Sequence, residues 1–115
     1  MNVSIGPEGY GSVILDGSGN GSVRVGPLTA REVWHPSNVH VQVTTNTNEA
    51  TCTVYVGDQP IQRNFRDLTF TGSSGDSSDK ISADTVQCGH YVWAVWSGGD
   101  TGARAVINVT GTKDI

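Results

Sequence analysis

The sequence predicts an all-β chain folded as a single antiparallel β-sandwich, jelly-roll-like or immunoglobulin-like, with about eight strands and no helix. Three observations carry that prediction. Bursts rich in Val, Ile and Thr recur about every 8–12 residues, separated by clusters of Gly, Ser, Asn and Asp. Gly alone supplies 15 of the 115 residues, which is the composition of a chain with many tight turns. No segment holds the 3.6-residue apolar period of an amphipathic helix. The length suits one domain, residues 1–115, with one modest core.

Taken in order, residues 12–15 and 22–25 predict two strands of a hairpin around Asp16-Gly17-Ser18-Gly19-Asn20-Gly21. Gly26-Pro27 ends it, since Pro lacks the donor that a continuing ladder needs. Residues 32–35 predict a short strand stopped by Pro36, with Trp34 as a core anchor. Residues 38–45 alternate: Val39, Val41 and Val43 point one way, His40, Gln42 and Thr44 the other. Val41 is the anchor of that strand. Asn46-Thr47-Asn48-Glu49 is a polar turn, and 50–56 is the returning strand. There Cys52, Val54 and Val56 share the inward face, with Val54 as anchor, while Thr51, Thr53 and Tyr55 face out.

Gly57-Asp58-Gln59-Pro60 closes that strand. Residues 61–71 predict an irregular approach and a strand over 67–71. The run 72–79 predicts a long flexible loop, and 80–86 a strand or extended segment. Residues 90–96 are the most apolar run and predict a central strand. Gly98-Gly99-Asp100-Thr101-Gly102 turns the chain into a final strand over 103–110.

The strand over 90–96 has two apolar faces and only one core to fill. Val92, Ala94 and Trp96 share one face, Tyr91, Trp93 and Val95 the other. Trp96 is the inward residue, because Val92 and Ala94 leave room for a large ring. Tyr91 and Trp93 then face out, beside Tyr55 if the two strands are neighbours. An outward aromatic cluster is what interface centres use, so Tyr55, Tyr91 and Trp93 are the candidate interface.

Other chemistry is thinly represented. Seven Lys and Arg against eleven Asp and Glu, a net charge of −4, disfavour nucleic acid as a partner. No apolar run is long enough to span a membrane as a helix. The N-terminus lacks the charged and apolar regions of a secretory signal, so a cytosolic start is expected. The Asp16 loop opens like a calcium loop, but Pro27 stands where the bidentate Glu belongs. Asp76, Asp79 and Asp100 are expected to be solvated loop acids, and Cys88-Gly89-His90 with Cys52 and His40 lacks paired zinc-ligand spacing. Cys52 and Cys88 are expected to be reduced, buried thiols. His35, His40 and His90 accompany no nucleophile elbow, and Glu8, Glu32 and Glu49 form no paired-carboxylate pattern. The expectation is a non-enzyme without metal or cofactor.

Gly26-Pro27 through Glu32-Val33-Trp34, Ala50-Thr51-Cys52-Thr53-Val54-Tyr55-Val56-Gly57, and Val95-Trp96-Ser97-Gly98-Gly99-Asp100-Thr101-Gly102-Ala103 together resemble small β-sandwich virion proteins of tailed phages that infect actinobacteria. The likeness runs over about residues 11–112 and consists of turn and Trp patterns, with no catalytic residues to transfer. It implies a structural role on the particle as a capsid decoration or minor capsid protein, made and assembled in the host cytoplasm. The implied partners are major capsid or tail proteins and further copies of the chain, with a trimer as the expected oligomer. The alternative is a minor tail or baseplate protein whose sandwich binds a receptor or host glycan.

Overall fold

A computed structural model describes residues 1–45, 47–71 and 75–115. Among them are ten strands: β1 (Asn2–Ser4), β2 (Tyr10–Ile14), β3 (Gly21–Val25), β4 (Val33–Val43), β5 (Ala50–Gly57), β6 (Phe65–Thr71), β7 (Asp76–Ser78), β8 (Val86–Gln87), β9 (Tyr91–Ser97) and β10 (Arg104–Asp114). The helical content of these residues is two 3-10 turns, Pro7–Gly9 and Gln62–Asn64. The chain is an all-β sandwich of two antiparallel sheets. In the first, β10 lies between β4 and the pair β1 and β2, and β7 and β8 both flank β4 on its far side. The second runs β3-β9-β5-β6.

Alternation builds the core. Val39, Val41 and Val43 of β4 and Ala105, Ile107 and Val109 of β10 are buried against Cys52 and Val54 of β5 and Val92, Ala94 and Trp96 of β9. Trp34 and Trp96 are wholly buried. They sit at opposite ends of the sandwich, Trp34 beside Val33 at the start of β4 and Trp96 near the corner that follows Val43. Apolar burial of this kind contributes roughly 25 cal/mol per Å² removed from water, so these rings dominate the core.

Both expected hairpins are corrected. β2 pairs with β10 and β3 with β9, so the glycine-rich run after Ile14 carries the chain from one sheet to the other. Asp16 Oδ1 accepts the amides of Ser18 and Asn20 at 2.9 and 3.1 Å, which closes the corner. Gly19 holds a φ of +76°, and a Cβ there would lie 1.9 Å from the Gly99 carbonyl oxygen. Likewise β5 does not return beside β4 but crosses to the second sheet. Asp100 holds that crossing through the amides of Thr47 and Asn48, both at 2.9 Å. Turn residues mark where a chain reverses; they do not say which sheet receives it.

Three further expectations change. Pro36 does not stop a strand: β4 runs through it, with Pro36 opposite Gly111 and Asn38 opposite Thr110, so Ser37 is the extra residue of a bulge. β8 pairs only with residues 33 and 34 and β7 only with 39 to 41, so Pro36 sits where β4 has no ladder partner on that side. Gly111 has a φ of +146°, and a Cβ there would meet the His35 carbonyl oxygen at 2.5 Å.

The segment 80–86 is mostly successive turns, with Ser82 N donating to Asp79 O and Asp84 N to Ile81 O, each at 3.0 Å. It plugs the core with Ile81 and Val86, which are five residues apart and so give no period-2 signal. Of the expected loop 72–79, residues 76–78 form β7, and 72–74, like Asn46 of the expected turn, lie outside the described residues. β1, which no expectation covered, pairs with the end of β10.

On the outermost strands, the Leu68 amide of β6 donates to Asp67 Oδ1 at 2.8 Å, and the Ser77 amide of β7 donates to Asp76 Oδ1 at 2.9 Å.

Candidate functional site

The outer face of the second sheet collects the aromatic side chains. The register sets Arg24 of β3 opposite Trp93 of β9, Trp93 opposite Tyr55 of β5, and Tyr55 opposite Phe65 of β6. One row of side chains therefore crosses all four strands. The next row along is Ser22, Val95, Thr53 and Leu68. Tyr55, Tyr91 and Trp93 are half-buried, while Phe65 and Leu68 are 39% and 48% exposed.

These rings hold one another in place. Tyr91 and Trp93 meet edge to face at 5.8 Å, and Tyr55 and Phe65 do the same at 6.3 Å. The Trp93 indole N–H donates to the Gly57 carbonyl at 3.1 Å, which satisfies its one polar atom and fixes its orientation. Arg24 lies over both rings of the β9 pair, its Cζ 4.2 Å from the Tyr91 centroid and 5.3 Å from that of Trp93. A cleft of about 460 Å³ opens beside this cluster, lined by Arg24, Tyr91, Pro27, Leu28, Glu8 and Cys88, among others.

Sequence reasoning brought Tyr55, Tyr91 and Trp93 to one face and set Trp34, Trp96, Val41 and Val54 inside, and these are their positions. It missed Arg24, Phe65 and Leu68. Arg24 had a usable signal, since it is the charged member of the alternating run Ser22-Val23-Arg24-Val25.

The other singled-out residues do not converge. Cys52 is buried in β5, and burial pushes its thiol up to about 12. Cys88 is exposed in the turn before β9, contrary to expectation, because that turn stands clear of both sheets' inner faces; both thiols are free. His40 faces outward on the first sheet with its Nδ1 2.8 Å from Ser77 Oγ, and His35 Nε2 is 2.9 Å from Asp114 Oδ2. Asp16 is engaged by backbone amides of its own loop, Asp76 by the Ser77 amide within β7, and Asp100 by the amides of Thr47 and Asn48. Among the described residues, no group of three or more His, Cys, Asp or Glu is arranged to hold a metal ion.

Glu8 and Glu32 instead share Lys113, whose Nζ reaches Glu8 Oε1 closely and Glu32 Oε1 at 3.0 Å. The hydrogen bond from Lys113 holds both carboxyls below the usual glutamate range, and the two carboxylates hold the ammonium above the usual lysine value.

No protein-family model and no curated protein matches the chain. No helix among the described residues is long and apolar enough to cross a membrane.

Proposed function

We propose that this chain is a non-enzymatic structural protein of a phage particle, a capsid decoration or minor capsid component that docks through the outer face of its four-stranded sheet. The observation that carries the proposal is the row Arg24, Trp93, Tyr55 and Phe65, with Tyr91 beside it. Arg, Trp and Tyr are the residue types that dominate binding energy at protein interfaces. Here the rings are already fixed by edge-to-face contacts and by the Trp93 hydrogen bond, so little side-chain freedom is lost on docking. The resemblance of residues 26–34, 50–57 and 95–103 to phage virion sandwiches supplies the particle. On this proposal the protein resides on the virion, is assembled in the host cytoplasm, and has as partners major capsid or tail proteins and its own copies, as a trimer.

The Arg24 stack argues against the alternative of a glycan platform in a tail protein. A sugar stacks on a bare ring face, whereas the guanidinium lies over Tyr91 and Trp93. A protein partner is the better fit.

Two measurements test the proposal. Mass spectrometry of purified particles is expected to find the chain in hundreds of copies; its absence from the particle overturns the virion role. In co-sedimentation with those particles, Trp93→Ser is expected to lose at least about tenfold in affinity, roughly 1.4 kcal/mol, while remaining folded. Unchanged attachment of a folded Trp93→Ser removes the docking face.

A further inference from the structure

Resting on that docking proposal, the geometry points to what the partner brings: we propose that Arg24 and its cleft receive a carboxylate, from an Asp or Glu flanked by an apolar side chain on a protein segment. The argument begins with charge. Arg63 is held by Asp58, Arg66 by Asp84, and Lys113 by Glu8 and Glu32. Among the described residues, no carboxylate is paired with Arg24. Glu8 lines the same cleft, but its carboxylate is engaged by Lys113. Arg24 thus shares with Arg31, Lys80 and Arg104 the lack of a carboxylate partner among the described residues, and of these four it is the one that lines the aromatic cleft. The chain's net charge of −4 repels a polyanion such as nucleic acid, while a single carboxylate can pair with the Arg24 guanidinium.

Geometry gives the second argument. The guanidinium is held against Tyr91 and Trp93, and among the described residues none of its N–H groups makes a hydrogen bond, so they are open to an acceptor. A carboxylate suits that fork, because two parallel N–H···O bonds form at once. The two ring contacts also restrain a side chain that is otherwise costly to order. The cleft's volume of about 460 Å³ admits more than a carboxylate. Its lining is mixed, and the apolar part, with Pro27 buried and Leu28 77% exposed, accommodates the flanking side chain.

A random linear-peptide library displayed on yeast, panned on the immobilised full chain, tests the proposal. The variants Arg24→Lys and Trp93→Ser are panned alongside, once thermal melts show them folded. The expected result is enrichment of Asp or Glu next to an aliphatic or aromatic residue. A synthetic peptide of the enriched sequence should bind at least about tenfold more weakly when its acid is changed to the amide, and similarly to Arg24→Lys, which keeps the charge but not the fork. It should also slow alkylation of Cys88, whose thiol lines the cleft.

Absence of enrichment, acid-free peptides, equal binding to Arg24→Lys, or unchanged Cys88 alkylation each overturns the carboxylate site. Acid-free peptides that lose binding to Trp93→Ser leave the docking face standing while removing the carboxylate. Loss of the docking face itself is read separately, from Trp93→Ser in co-sedimentation.

Discussion

The two outer faces of the sandwich are made by the same alternating strands, yet they treat their polar groups differently. On the first sheet, His40 pairs with Ser77, His35 with Asp114, and Arg104 with the Tyr10 hydroxyl at 3.3 Å. Its exposed large hydrophobic side chains Tyr10 and Ile14 sit on the flanking strand β2. On the second sheet one outward row holds aromatic rings, and the charge in that row, Arg24, rests on those rings instead of on a counter-ion. A face whose polar groups are satisfied by each other is already complete in water. On the docking proposal, a face of ordered rings with a cation that no carboxylate matches is completed by a partner.

Trp96→Ser breaks the comparison at its root, because it removes the inward half of β9. It is expected to destabilise the chain by about 3–5 kcal/mol, enough to unfold a domain of this size, as measured by urea titration. Trp93→Ser, on the same strand but the opposite face, should cost about 1–2 kcal/mol, chiefly for lost packing and the hydrogen bond to Gly57. If the costs are reversed, the two faces of β9 have been assigned the wrong way round.

Thiol chemistry sharpens the inside-outside contrast. Cys88 should react with an alkylating reagent in the native protein and Cys52 only after unfolding, as intact mass reads directly. Rapid native modification of Cys52 contradicts the packing of β5.

Acid acts at Asp58, whose carboxyl the Asn64 hydrogen bond holds down, and at the end of the sandwich, where Lys113 joins Glu8 and Glu32. Both glutamate carboxyls are lowered from 4.5, so their contribution is present above that value and lost as pH falls through the lowered values. Lys113 is raised from 10.5, so its contribution holds below that value and is lost only at higher pH. The melting temperature should therefore be flat through neutrality and drop below about pH 4.5, with Lys113→Met reducing the drop. The smallest effect is expected from His40→Gln on the polar face: under about 0.5 kcal/mol in a urea titration, and no change in co-sedimentation.

What could be read from the sequence follows the range of the forces involved. Alternation in residues 39–43, 50–56 and 91–96 was legible because a sheet with one buried face imposes period 2 on each strand by itself. Sheet membership was not, because β2 and β3, and β4 and β5, look like hairpin partners locally while their ladders form with distant strands. Pro36 read as a stop because the bulge that absorbs it is completed by Gly111, 75 residues later. The candidate site divides the same way. Tyr91 and Trp93 lie on one strand and were visible together, whereas Arg24 and Phe65 join them only through the registers of β3 and β6.

The two aspartates at the outermost strands bear on how such a protein tolerates crowding. A sheet edge with free amides is a template on which another chain can add a strand, and a sandwich packed at high local density meets such edges constantly. Leu68 and Ser77 have amides already engaged by Asp67 and Asp76, side chains one residue away that also set a negative charge on each rim. Two edge amides are thereby withdrawn from any incoming strand, which makes these two rims poorer templates for the strand addition that grows into fibrils, and on the docking proposal contact with neighbours runs through faces.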